Sequence, residues 1–86
     1  MITKSDISLF ETGYFVPLRI CDSYIELQSI NSGQCWIVQK LRNRQGVMLH
    51  NKEDLDSDSY REHRHCCTIQ DALDEIMRHD EYILLK

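Results

Sequence analysis

The side chains best suited to chemistry are four histidines and four cysteines in a chain of 86 residues. His63 and His65 alternate, and Cys67 follows at the same step. Alternate residues of a strand share one face, so these three would stand in a row with steps of about 7 Å. Two imidazoles and a thiolate are donors that zinc accepts in a tetrahedral set. His50 is the candidate fourth ligand, on a separate apolar segment. The paired C-x₂-C spacing of a zinc ribbon is absent, so the histidines also fit a polar edge strand without metal. Cys66 or Cys67 beside a histidine would make a nucleophilic pair. Neither an orienting third group nor an oxyanion site stands at a recognisable spacing. There is also no glycine-rich phosphate loop, paired-carboxylate motif or nucleophile elbow. The expectation is a chain that is not an enzyme and holds no cofactor, with zinc on His63, His65 and Cys67 as an alternative.

A second constellation is Trp36, Lys40, Arg42 and Arg44. An aromatic ring beside cations on one strand face is what stacks and holds single-stranded nucleic acid. The sole tryptophan of a small domain also serves as its core anchor, and then no platform exists. The net charge of −4 opposes a general nucleic-acid binder.

The third constellation is acidic. Glu53, Asp54, Asp56 and Asp58 fall in one polar stretch, and Asp71, Asp74 and Glu75 in a helical one. Such carboxylates steer association with a basic partner, for example the positive groove of a nucleic-acid enzyme. Alternatively they are a solvated surface of ordinary sign mixing. His79-Asp80 has the composition of an acid–base couple, but neighbours on a helix do not face one another, and a helix C-terminal cap is the simpler reading.

These side chains need positioning elements. Ser5–Gly13 suggests a short helix capped by Ser5, with Ile7, Phe10 and Tyr14 on one face. Val16 before Pro17 is expected to be extended, in a crossing segment. Tyr24–Ile30, Cys35–Arg42 and Val47–His50 alternate as strands, separated by turns at Asn31-Ser32-Gly33 and Asn43-Arg44-Gln45-Gly46. They predict an antiparallel meander. Residues 60–67 are a candidate fourth strand, on the edge. One of the adjacent Cys66 and Cys67 should be core and the other surface.

Thr68 is an N-cap, and Ile69, Ala72, Leu73, Ile76 and Met77 form a helical stripe. Arg78 and His79 are placed in the last turn, with Tyr82–Leu85 as a short strand or packed tail.

The sum is an α+β fold: an antiparallel sheet of three to four strands on a C-terminal helix, with a short N-terminal helix, in a single domain 1–86. No apolar run is long enough to cross a membrane, and the first residues lack a signal-peptide pattern. A cytoplasmic location with reduced thiols is expected. The functional expectation is a small protein-interaction module, an inhibitor or adaptor of a larger protein. Open sheet edges that another chain could pair with add to it, and a homodimer is a natural corollary.

Overall fold

The computed structural model describes residues 1–85. The elements in order are α1 (Lys4–Leu9), β1 (Phe15–Ile20), β2 (Tyr24–Ser29), β3 (Cys35–Lys40), β4 (Val47–Lys52), β5 (Arg61–Cys66) and α2 (Ile69–Leu84). The fold is α+β. The strands form one antiparallel sheet in the order β1-β2-β3-β4-β5, a meander in which each strand pairs with its neighbour in sequence. The sheet thus has five strands rather than three or four. Residues 60–67 do supply one of them, and β1 is the strand that the alternation pattern did not disclose.

β1 hides because its pattern is unlike that of a half-buried strand: Phe15 is buried and the five residues after it are exposed. Its pairing with β2 is broken by a bulge between Pro17 and Arg19. The bond from Ile30 N–H to the Tyr14 carbonyl fixes the ladder's phase. Alternation then puts Pro17 in a non-hydrogen-bonded pair with Leu27, its nitrogen toward the open edge. A proline and a bulge there blunt that edge against strand addition, as the charges of Arg61, Glu62 and Arg64 do on β5.

One face of the sheet carries Ile25 and Leu27 of β2, Trp36 and Val38 of β3, and Val47 and Leu49 of β4, all buried. α2 covers this face with Ile69, Ala72, Leu73 and Ile76. Burying such side chains stabilises the domain by about 1.5–3 kcal/mol each for the larger ones. Thr68 caps α2 by accepting from Asp71 N–H at 3.1 Å. The helix does not stop at His79; it runs to Leu84, so the segment expected as a strand or tail is its last turn. Continuation follows from burial at Asp80, which keeps the stripe going for one more turn on the core side.

α1 starts two residues earlier than expected, because Thr3 rather than Ser5 is the cap. Asp6 N–H donates to Thr3 Oγ1, and Thr3 N–H donates to the Asp6 carboxylate, a reciprocal box. No helix among the described residues is long and apolar enough to cross a membrane.

Candidate functional site

A group of titratable side chains lies on the seam between β5 and α2. β5 carries a second bulge, because Leu49 pairs with Arg64 and His50 with Glu62. His63 is the extra residue. The bulge breaks the strict alternation and turns His63 toward α2. Its Nε2 donates to Glu75 Oε2 at 2.8 Å.

Glu75 is buried and gathers three partners. Arg64 Nη1 donates to its Oε1 at 3.0 Å and Arg78 Nε at 3.1 Å, and Arg78 Nη2 donates there too. Burial alone would raise its pKa. The hydrogen bonds from His63 and Arg78 and the charges of Arg78 and Arg64 outweigh that and hold the carboxyl below its ordinary range.

Behind this clamp three rings meet edge to face. The centroids of Trp36 and His63 are 5.2 Å apart, Trp36 and His79 5.2 Å, and His63 and His79 5.0 Å, with interplanar angles of 89°, 85° and 88°. Perpendicular contact sets the positive edge of one ring on the negative face of the next. The nitrogens His79 Nδ1 and Trp36 Nε1 are buried without a hydrogen-bond partner among the described residues. Burial first, and then the charge of His63, lower the pKa of His79.

Next to His79, Asp80 is wholly buried. Its Oδ2 accepts from Tyr14 Oη at 2.8 Å and from Ser29 Oγ, and its Oδ1 accepts from Ser32 Oγ at 2.7 Å. This hydroxyl cage ties the end of α2 to β2, to the β2–β3 turn and to the segment before β1. Burial and the bond to Asp80 raise the Tyr14 pKa. His79 and Asp80 therefore do not cap the helix: Asp80 is buried and His79 half-buried, in separate networks.

The structure separates the expected metal ligands. His65 pairs with Met48. Met48 alternates with buried Val47 and Leu49, so His65 faces away from α2, where its Nε2 donates to the Gln45 carbonyl at 2.9 Å. His50 is on that same outer face and donates to Gln39 Oε1 at 3.1 Å. His63 is on the opposite face, and Cys67 is exposed beyond the end of β5. Among the described residues no three His, Cys, Asp or Glu side chains form a metal-holding group.

Trp36 is fully buried, so the expected nucleic-acid platform lacks its aromatic member. Lys40 Nζ pairs with the Asp6 carboxylate at 2.7 Å and donates to the Met1 carbonyl at 2.8 Å. That ion pair, with the Thr3 bonds, overcomes the effect of burial and lowers the Asp6 pKa. Arg42 and Arg44 alone stay exposed at the turn.

The acidic residues also divide. Glu75 is the centre of the clamp and does not face away. Asp71 and Asp74 are exposed in the first turns of α2, beside the end of β5. Glu53, Asp54, Asp56 and Asp58 are exposed in the β4–β5 loop, at the far end of those strands. The two sets do not form one surface.

Within the loop, the Asp54 carboxylate accepts from Asp56 N–H at 3.0 Å and Ser57 Oγ at 3.1 Å, closing a turn. Lys52 Nζ donates to the Ser57 carbonyl at 3.4 Å and lies 4.8 Å from the Tyr60 ring centroid. Tyr60 Oη donates to Glu26 Oε2 at 2.7 Å, anchoring the loop's exit on the outer face of β2. Burial and Glu26 push the Tyr60 hydroxyl pKa far up.

Spacing in the sequence did not signal the ring triad, the clamp or the hydroxyl cage, because their members come from distant elements. Comparison with protein-family models, curated proteins and solved structures finds no match. The chain's own side chains therefore carry the functional reading.

Proposed function

We infer that this chain is a small non-enzymatic protein-interaction module, an inhibitor or adaptor that meets a basic surface through its β4–β5 loop. The observation that carries this reading is the shape of the loop. Asp54 folds it into a turn, with a bond from Ser57 N–H to the Asp54 carbonyl at 3.3 Å, and Lys52 and Tyr60 pin its ends. Glu53, Asp56 and Asp58 point to solvent around Leu55, which is 53% exposed. A loop that is already ordered loses less entropy on binding. Its carboxylates steer a basic partner in, and the leucine at its tip adds an apolar contact once water is expelled. A groove that binds nucleic acid is a surface of this kind. The blunted edges of β1 and β5 favour a loop-led contact over strand addition.

The test is capture of partners from cells that contain the native partner. The wild-type chain is compared with a loop-reversed variant carrying E53K, D56K and D58K. All three positions are exposed, so the variant should keep the wild-type circular dichroism. The expected result is a partner bound by the wild type, lost with the variant, and released as salt rises. A partner retained equally by the variant, or none for either chain, would overturn the reading.

A further inference from the structure

We propose that the Trp36–His63–His79 seam is a pH-sensitive latch, closed while His79 is neutral and opened when a proton on His79 drives α2 off the sheet.

Three features of the seam carry this. First, His79 Nδ1 is buried with no hydrogen-bond partner among the described residues. A neutral imidazole can leave that nitrogen unprotonated, which avoids a buried N–H donor without an acceptor. The cation must carry N–H on both nitrogens, and one of them would then be a buried donor with nothing to bond.

Second, the three rings are packed within 5.0–5.2 Å of each other at nearly right angles. His79 as a whole is half-buried, but water has no place between rings in such contact, so the part of the new charge on the seam side would be poorly hydrated.

Third, the neighbouring anions are already engaged. From α2, the charges of Glu75, Arg78 and Asp80 act on His79; from β5, that of His63 does. β3 contributes only the uncharged Trp36. Glu75 is held by His63, Arg64 and Arg78. Asp80 is enclosed by three hydroxyls. Arg78 and His63 would repel the added proton. Burial, His63 and Arg78 outweigh Asp80 and Glu75, and the pKa of His79 lies below its ordinary value of 6.5.

The sign of the effect follows. A basic group with a lowered pKa in the folded chain binds its proton more readily once the seam is open. Its contribution to closure is present above the ordinary value of 6.5 and is lost as pH falls through the folded value. Over that window the opened fraction of α2 rises by up to about tenfold per pH unit. Because Trp36 is the chain's only tryptophan, its emission reports the seam directly.

The experiment follows α2 amide exchange, corrected for intrinsic rates, together with Trp36 emission from about pH 8 to 5, where most carboxylates stay ionised. The expected result is that α2 protection falls below the ordinary histidine range with a parallel change in Trp36 emission, and that His79→Phe, which keeps a ring but cannot titrate, abolishes both. Unchanged α2 protection in the wild type, or the same pH dependence in His79→Phe, would overturn the latch. Should His79→Phe not fold, the imidazole resonances of the wild type decide. His79 titrating below its ordinary value in step with α2 opening sustains the proposal, and titration at or above that value refutes it.

Discussion

Asp80 offers the sharpest test of how the fold is held. Its carboxylate is wholly buried, has no cation beside it in the hydroxyl cage among the described residues, and receives bonds from Tyr14, Ser29 and Ser32. Hydrogen bonds to a charged group contribute about 1.5–3 kcal/mol each. Taking a carboxylate out of water costs several kcal/mol, so the cage offsets that cost and leaves a modest surplus. Asp80→Ala removes the acceptor for all three donors. Ser29 is fully buried and cannot turn to water, whereas Tyr14 and Ser32 are half-buried and partly recover.

We therefore expect Asp80→Ala to lose about 3 kcal/mol, against a total of roughly 4–13 kcal/mol for a domain of this length. Asp80→Asn keeps one acceptor oxygen, and the Ser32 hydroxyl can rotate to accept from its amide. That variant should lose about 1–2 kcal/mol. The assay is urea denaturation at pH 7.5, followed by Trp36 emission and by circular dichroism. Tyr14→Phe in a double-mutant cycle with Asp80→Ala should show coupling of about 1 kcal/mol. An Asp80→Ala variant within about 0.5 kcal/mol of wild type would refute the view that the cage fastens α2.

Gly46 has φ +99, and a Cβ there would overlap the Cys66 carbonyl oxygen and sit 2.8 Å from His65 Nε2. Gly46→Ala should cost more than the roughly 1 kcal/mol of an ordinary positive-φ glycine, read as a lowered midpoint in urea. Cys67 is exposed, whereas Cys35 and Cys66 are buried and burial pushes their thiol pKa values up. Under native conditions a thiol reagent should therefore label Cys67 first and leave Cys35 and Cys66 until denaturant is added. Glu75→Gln should destabilise the chain at pH 7 by about 1–2 kcal/mol, a figure kept small because Arg64 and Arg78 are largely exposed and screened. The folded pKa of Glu75 lies below its ordinary value of 4.5, so its contribution is present above that value and lost below it. The gap between Glu75→Gln and wild type should close as pH falls through that range in thermal melts.

Local pattern disclosed most of the architecture. The alternation of Ile25, Leu27, Trp36, Val38, Val47 and Leu49 marks three strands whose inner face is buried as the period requires. Thr68 and the stripe from Ile69 to Ile76 mark the start and inner face of α2. β1 escaped because edge position and a bulge remove the period that identifies a strand. The end of α2 escaped because the residues that extend it inward are polar: a buried Asp80 looks like a surface residue until its three donors are known.

The site was least legible for a related reason. Strict alternation places His63, His65 and Cys67 in one row, and a single inserted residue moves His63 to the other face. That one-residue step replaces a row of surface ligands with an imidazole held between Trp36, His79 and Glu75. Reversing the step should reverse the outcome. Deleting His63 would restore continuous pairing between β4 and β5, leaving Trp36 without one of its two ring neighbours and Glu75 with only its arginines. The expected cost is that of a cavity beside a buried tryptophan, about 2–4 kcal/mol. It should appear as weakened α2 protection in amide exchange, with the central strands β2 and β3 less affected. If α2 protection in the deletion variant equals that of wild type, then the bulge is not what seats the helix on Trp36. The seam would then owe its closure to the Asp80 cage and the apolar stripe.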